Sequence, residues 1–455
     1  MISKVYTLPA GTEPTADIVS GLITGSQRKE CLELYERLYA YYMNEAVASR
    51  EAPHQLLAIT NHARYIVKTN VGYLLGNPAT YLAAEKVDIE PLLDIYRKQT
   101  ISNLDVENAT DTSIFGHAFE RIYINKDAET RSTRIDPRNI ILVYDDTVQH
   151  EKMFAIIYQP SVNEKGEIVR DVYDMTILTP TIAMERKLKD GILSGDEEVS
   201  HSFGEVPVVE YLNSSDRVGD FEPVISLLDA YNILQSDRVI DRERLVDAIL
   251  AFYGMDLGKE DQEDLKESRT IAGIPSDAKI EYIVKNINEA DADVLRSAIL
   301  ADIHKISMTP DMSDQDFAGN SSGVALQYKL LAFEQHIKDK ERYFENALID
   351  RFRLYNGVLA SIKKMSTIEP SEIDIVFRRA LPQNDLEASQ MINNLMDIVD
   401  RETLVSRLSF VQDAKETVKL AQEEQEKALR LGNYGVNKTD EPDDQTDSDG
   451  PLDEE

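Results

Sequence analysis

The longest run of regular hydrophobic spacing lies between residues 289 and 365 and predicts a helix, a short loop and a very long helix. In the first helix, apolar residues recur at three- and four-residue steps, at Leu295, Ile299, Ile303 and Ile306. Residues at this spacing lie on one face of a helix. The pattern therefore predicts a helix with one apolar face that ends near residue 308.

The loop that follows runs from Thr309 to Ser322. Pro310 disfavours helical geometry in the residue before it and lacks a donor of its own, and the loop is rich in Asp, Ser, Asn and Gly, which prefer turns. From Gly323 to Met365 the chain has no proline, and an apolar stripe continues along it. At 1.5 Å per residue this second helix would span roughly 60 Å. The stripe consists of Phe344, Leu348, Phe352, Tyr355, Leu359 and Ile362.

The first 221 residues mix helical and strand-like patterns. Helices are predicted at residues 26–47 and 91–118. Another helix is predicted to end at Gly76-Asn77-Pro78, and residues 79–83 after it are strand-like. Strands with alternating or β-branched residues are predicted at 119–125, 140–144, 153–158, 172–178, 181–187 and 206–212. Because these strands follow one another without intervening helices, they indicate antiparallel hairpins rather than βαβ units. The fold class predicted is α+β and helix-rich.

The second half is predicted to be mainly helical. Pro223 opens a helix expected to continue to Phe252, and short strands are predicted at 270–274 and 279–284. Residues 222–365 thus form a helical rod that returns on itself, with a small β-rich tip. A strand at 372–378 follows, and then helices to about residue 431. The acidic tail holds too few apolar residues to offset its ordering entropy, so it is predicted to be disordered.

Composition limits the classes of protein to which this chain can belong. It has 455 residues, a net charge of −33 and one cysteine. The acidic balance disfavours a protein that grips DNA over its whole surface, since phosphate binding depends on basic residues, but it does not exclude one that surrounds moving DNA. No apolar run is long enough for a membrane span, and the first residues lack a signal-peptide core. Cys31 lies on an apolar helix face and is predicted to be a buried structural thiol.

The sequence offers little that predicts catalysis. The glycines at 72 and 76 have the wrong spacing for a phosphate loop. Residues 314–319 resemble the start of a calcium loop, but Ala325 stands where a glutamate is required, so a solvated acidic loop is expected. Asp145 and Asp146 are interpreted as a turn rather than as nuclease ligands. We predict no catalytic, cofactor-binding or metal-binding residues and no enzyme.

Five segments together resemble the portal proteins of tailed bacteriophages, in particular the siphophage portal family of Gram-positive hosts. The segments are YIVKTNVGYLLGNP (65–78), SIFGHAF (113–119), DPRNII (136–141), FGEVPVVE (203–210) and TPDMSDQDFAGNSSG (309–323). Their order and spacing over residues 30–420 make the resemblance specific. The acidic tail is not covered.

The resemblance implies an architecture. The parts implied are a wing (1–221), a first stem helix (222–254), a small β-rich clip (255–288), a second stem helix (289–308), a tunnel loop (309–322), a long helix and strand that return to the wing (323–382), a helical crown (383–432) and a disordered acidic tail (433–455). The loop would narrow a DNA channel. Its candidate channel residues are Asp311, Met312, Asp314, Asp316, Phe317 and Asn320.

The resemblance also implies a function. The chain would form a ring, typically a dodecamer in this family, at one capsid vertex, as a conduit for double-stranded DNA during packaging and ejection. Its implied partners are the terminase large subunit, a head-completion or adaptor protein, and the scaffolding and major capsid proteins. It would reside in the virion, and in the host cytoplasm during assembly, without a membrane or a cofactor.

Two alternatives from other classes remain open at this point. One is a non-viral oligomeric scaffold or adaptor with an extended helical hairpin. The other is a nucleic-acid enzyme, which the missing site disfavours. The loop aspartates also have two interpretations, because a ring of carboxylates would repel phosphate, whereas isolated ones would only keep the loop soluble.

Overall fold

A computed structural model of the chain describes residues 2–45, 58–84, 87–246, 249–253, 279–283, 289–312, 323–362, 365–379, 385–406, 408, 411 and 414–434. The chain divides into two compact units, Met1–Ala380 and Leu381–Glu455. None of the helices within these ranges is both long enough and apolar enough to cross a membrane.

The first unit combines helices with four small or medium sheets. Its helices are α1 (Ala16–Thr24), α2 (Ser26–Met43), α3 (His62–Leu75), α4 (Glu90–Gln99), α5 (Ile101–Phe115), α6 (Ile225–Val246), α7 (Glu289–Ile306) and α8 (Gly323–Ser361). Its strands are β1 (Tyr6–Leu8), β2 (Thr80–Ala83), β3 (His117–Ile124), β4 (Thr130–Ile135), β5 (Ile140–Asp145), β6 (Lys152–Val162), β7 (Ile168–Leu178), β8 (Ile182–Lys189), β9 (Ile192–Ser200), β10 (Val208–Leu212), β11 (Ile249–Tyr253), β12 (Lys279–Ile283) and β13 (Ile373–Val376).

The largest sheet has six strands in the order β1-β5-β6-β7-β8-β9. Its pairs are antiparallel except for β1, which runs parallel to β5. Alternate residues face opposite sides, so Ile141 and Ile156 pack towards Val19 of α1. Ile140 and Leu142 pack on the other side, against the three-stranded sheet β10-β3-β4. The α+β class and the antiparallel hairpins predicted from sequence are therefore confirmed.

The segment that begins at Pro223 corrects one prediction. The helix that starts near Pro223 was expected to reach Phe252, but α6 ends at Val246 and β11 follows it. In β11, Ile249 pairs with Ile283, and Tyr253 pairs with Lys279. A short apolar run fits a helix or a strand equally well by spacing, and pairing with a segment 30 residues away decided between them. The strand predicted at 270–274 lies outside the described residues.

Two further predictions were wrong in detail. The segment 91–118 is not one helix, because Thr100 adopts a left-handed conformation (φ 51°) that separates α4 from α5, and β3 already begins at His117. Besides β11, three strands were not predicted: β1, β4 and β9. In β9, the acidic run at 196–198 hides the alternation, since eight of its nine residues are exposed and the strand lies at the edge of the sheet.

The long helix α8 is the central support of the first unit. Its 39 residues span about 58 Å at 1.5 Å per residue. Five of the six predicted stripe residues are buried, and Ile362 lies just beyond the end of the helix and is half-exposed. The helix packs against β10, α3 and β3, so it supports the three-stranded sheet β10-β3-β4.

The second unit is a small helical assembly. Its helices are α9 (Asp385–Leu395), α10 (Arg401–Val405) and α11 (Ala414–Tyr434). Asp400 caps α10, since its carboxylate accepts the backbone N–H of Thr403 at 2.9 Å. The helical character predicted for 383–432 is observed in these ranges. The predicted acidic tail lies outside the described residues, except that positions 433 and 434 end α11.

Candidate functional site

The predicted tunnel loop is described only at its base. Among the six candidate channel residues, the structure places Asp311 and Met312, and Asp314, Asp316, Phe317 and Asn320 lie outside the described residues. The site that can be built from geometry is therefore the anchor of this loop on the rest of the subunit.

Tyr65 of α3 holds the first turn of the loop. Its hydroxyl donates to the carbonyl of Pro310 at 3.0 Å and accepts the backbone N–H of Met312 at 2.9 Å. On the other side, Nδ1 of His304 lies 2.9 Å from the carbonyl of Thr309, and Nε2 lies 3.8 Å from Asp311. The base of the loop is thus tied to α3 and to the end of α7.

A buried chain of hydrogen bonds leads inward from the loop. The hydroxyl of Thr309, which is fully buried, donates to Asn70 Oδ1 at 3.1 Å. The amide of Asn70 donates to Asp220 at 2.8 Å. Because buried polar groups are costly when unpaired, each link fixes the position of the next, and the loop base is positioned relative to Asp220.

Asp220 joins segments from four parts of the first unit. Its carboxylate accepts hydrogen bonds from Asn70 of α3, Ser113 of α5 and Asn213 after β10. Lys340 of α8 lies 2.5 Å away, and its side chain is 4% exposed. A buried carboxylate with this many donors is fully compensated. Burial alone would raise the pKa of Asp220, but Lys340, assisted by His336 and Asn70, lowers the pKa well below its ordinary value.

Two glycines allow the chain to reach this arrangement. Gly116 ends α5 in a left-handed conformation (φ 84°), and a Cβ there would lie 1.9 Å from the carbonyl oxygen of Arg217. A Cβ on Gly219 would lie 2.4 Å from the carbonyl oxygen of Ile114. The backbone 217–219 therefore packs directly on the end of α5, which places Ser113 against Asp220. Residues other than glycine would not fit at these two positions.

A second buried ion cluster joins α8 to α5 and β3. Arg351 is fully buried, and its guanidinium lies 2.6 Å from Glu120 of β3 and 2.6 Å from Asp105 of α5. Tyr211 of β10 also donates to Glu120, at 2.7 Å. Burial alone would lower the pKa of Arg351, but the two carboxylates raise it. The cluster can hold the helix in one register and has no evident chemical role.

Sequence reasoning missed Asn70, Asp220, Lys340 and Arg351. A signal was nevertheless present, because Lys340 and Arg351 occupy positions on the apolar face of α8. They interrupt the stripe that includes Ile337, Phe344, Leu348 and Tyr355 at three- and four-residue steps. A charged residue on a buried face needs a partner of opposite charge, so these two lysine and arginine positions could have been identified as anchor points.

The other residues considered for chemistry have structural roles. Asp145 Oδ1 accepts the backbone N–H groups of Thr147 and Glu151, as expected of a turn. Cys31 is buried, and burial raises its pKa. His117 is buried between Tyr35 and Glu210. Within the described residues, no three His, Cys, Asp or Glu side chains are arranged to hold a metal ion.

Comparisons with known proteins decide the family. A family model described as "Phage portal protein, SPP1 Gp6-like" matches residues 26–430. This chain belongs to that portal protein family. The resemblance found from sequence is confirmed, and the match includes α2 through α8, the loop and most of the second unit.

Two individual similarities accompany the family match. The portal protein of Bacillus phage SPP1 is 24% identical over 391 residues, which cover 80% of this chain and 76% of that protein. A solved chain from the neck of an empty GTA particle, computed with C6 symmetry, is 13% identical with a TM-score of 0.43, and covers 79% of this chain and 88% of that chain. As a phage portal protein, the chain is a virion component that forms a ring at one capsid vertex and serves DNA packaging.

Proposed function

We propose that this portal protein narrows the DNA channel with the loop 309–322. The buried cluster of Asp220 with Asn70, Ser113, Asn213 and Lys340, called here the Asp220 node, would keep each loop base in place while DNA moves. The observation that carries the proposal is the continuous path from Thr309 through Asn70 and Asp220 to Lys340. A loop that contacts moving DNA needs a rigid mount, and buried, fully paired polar groups provide one. Lys340, which pairs with Asp220, lies on α8, the same helix that supports the wing.

The assignment of parts follows the same proposal. Residues 1–221 form the wing, α6 and α7 form the stem, and the strands β11 and β12 belong to the clip. Residues 383–432 form the crown. The clip docks the terminase large subunit during packaging and a head-completion or adaptor protein afterwards. The wing meets the scaffolding and major capsid proteins, and ring assembly starts in the host cytoplasm.

The half-exposed apolar residues on the stem support packing between subunits. Ile303 is buried within the subunit, but Leu295 and Ile306 of the predicted apolar face are 52% and 48% exposed. Val294 is 71% exposed. In a closed ring the neighbouring stems would cover these side chains, since heterologous contacts place different surfaces of identical subunits together. The ring proposed here is a dodecamer.

The loop aspartates are proposed to repel phosphate and so to prevent adhesion of DNA. Carboxylates release no counterions on contact with DNA, whereas each lysine would add an attractive contact and increase the salt dependence of binding. We therefore expect a variant with Asp311→Lys, Asp314→Lys and Asp316→Lys to package DNA more slowly than wild type, or to stall. An in vitro packaging assay with purified heads measures this as DNA protected from nuclease over time.

The matched control replaces the same three aspartates by asparagine. This variant removes charge without adding attraction, so its packaging rate should lie near that of wild type. Unchanged packaging by the lysine variant, in rings that assemble normally, would show that these aspartates only keep the loop soluble.

The proposal includes no catalytic role for this chain. Members of the family are structural, and the chemistry of packaging is assigned to the terminase. Incubation of purified rings with linear double-stranded DNA and magnesium or manganese tests this, and cleavage that disappears on chelation would contradict it.

A further inference from the structure

A pocket of about 560 Å³ opens beside the Asp220 node. Its walls come from three parts of the chain: residues 213–223, the end of the second stem helix at 306–308, and the side of α8 between His336 and Asn346. Asp220 and Lys340 form part of its lining. A volume of this size is typical of sites that receive several side-chain groups or a small ligand.

The charges of the pocket disfavour a small ionic ligand. Lys340 is neutralised by Asp220 at 2.5 Å, and Arg342 is paired with Asp339 at 3.2 Å. Asp220 already has donors on both oxygens. A phosphate or a metal ion would have to separate the buried Lys340–Asp220 pair, whose side chains are 4% and 0% exposed, and that separation costs free energy. The exposed Arg342–Asp339 pair contributes little.

The apolar part of the wall is poorly covered. Ile306 and Met308 are 48% and 50% exposed, although both lie at the junction of stem and loop. Met308 also adopts a left-handed conformation (φ 53°), which turns the chain away from α7 at the rim of the pocket. Ser215 and Asn346 supply an exposed polar border. An apolar patch with a polar rim is the composition of a protein interface.

We propose that this pocket is a socket that receives a large apolar side chain from a second copy of the chain, the neighbouring subunit of the ring. A ring of identical subunits uses heterologous contacts, in which a concave surface on one copy receives a different, convex surface of the next. The described residues include exposed apolar groups of the required kind, such as Tyr328 at 75% and Leu331 at 51% on the first turns of α8. The loop base would then be complete only in the assembled ring.

This inference rests on the proposed ring, and the test separates the two. Ser215→Cys adds a thiol at the rim with little change in size, and the native Cys31 is buried and adds little background. Val148→Cys is the control, because Val148 is fully exposed on the subunit. The rate of maleimide labelling is measured for each variant in rings and in unassembled subunits.

We expect Ser215→Cys to label at least about ten-fold more slowly in rings than in subunits, because a covered interface position excludes water. The control should label at similar rates in both states. A benzophenone maleimide attached at position 215 should then cross-link two chains, and mass spectrometry should place the adduct beside an apolar residue of the second chain.

Each other outcome overturns a defined part of the argument. Equal labelling in intact rings, or cross-links confined to one chain, would overturn the socket and leave the portal function untouched. Protection in complete heads but not in isolated rings would assign the pocket to another virion protein and would also overturn the proposal. Failure of the wild-type chain to form rings would overturn the proposed function and the socket together.

Discussion

Replacement of Lys340 by methionine is the most direct way to perturb the buried contacts that link the loop base at Thr309 to Asp220. Methionine keeps the length and the apolar stem of lysine but removes the charge that faces Asp220. The two groups are almost fully buried, with side chains 4% and 0% exposed and 2.5 Å between Nζ and Oδ2. The substitution therefore leaves a buried carboxylate that retains its neutral donors but has lost its closest cation.

The expected loss is large for a single substitution. Removal of one member of a buried ion pair destabilises proteins by about 3–5 kcal/mol, because the remaining charge stays uncompensated. Lys338→Met is the matched control on the same helix. Lys338 is 61% exposed and lies 4.0 Å from Glu334, so its loss should cost less than about 1 kcal/mol. Asp220→Asn combined with Lys340→Met should recover part of the loss, since neither charge remains buried.

The assay is urea unfolding at one fixed protein concentration, because ring assembly makes stability depend on concentration. The chain has no tryptophan, so far-UV circular dichroism is the signal.

The pH dependence of the unfolding midpoint gives a second readout. The folded pKa of Asp220 is depressed, so its contribution is present above the unfolded pKa of about 3.9 and is lost as pH falls below it. Lys340→Met should weaken this acid dependence. Equal midpoints for the two methionine variants would refute the reasoning.

Two further predictions concern the contacts of α5 with α8 and with the backbone at Arg217. Arg351→Met should destabilise the protein by about 3–5 kcal/mol because Glu120 and Asp105 lose their shared cation, whereas Arg353→Met, at a side chain that is 48% exposed, should cost less than about 1 kcal/mol; the same urea assay measures both, and similar losses would contradict the cluster. Gly116→Ala should lower the unfolding midpoint and the yield of rings in negative-stain images, since its Cβ would meet the carbonyl of Arg217; normal rings with an unchanged midpoint would count against that contact.

The sequence allowed the framework to be predicted because its signals are local. The stripe on α8, the proline at 310 and the alternating strands between residues 119 and 212 each act within a few residues, and the structure contains α8, the end of α7 before Pro310 and these strands. The end of α6 could not be placed in this way, since β11 depends on pairing with β12. The four missed anchor residues depend on contacts between distant segments. Asp220 and Lys340 are 120 positions apart.

The two buried ion clusters on α8 fix the position of the helix along its axis, which apolar packing alone does not fix. Lys340 and Arg351 are 11 residues apart. This spacing is about three turns, or about 16 Å along the helix, so both side chains lie on one face. A helix held only by an apolar face can shift by one turn at modest cost. A shift of α8 would separate Lys340 from Asp220 and Arg351 from Glu120, and would leave both cations buried without a partner. Rotation and translation of the helix are thereby fixed together. Because Thr309 reaches the same Asp220 through Asn70, we expect a displacement of α8 relative to the sheet β10-β3-β4 to displace the base of the loop as well. Force applied to the loop is expected to reach α8 through the same contacts.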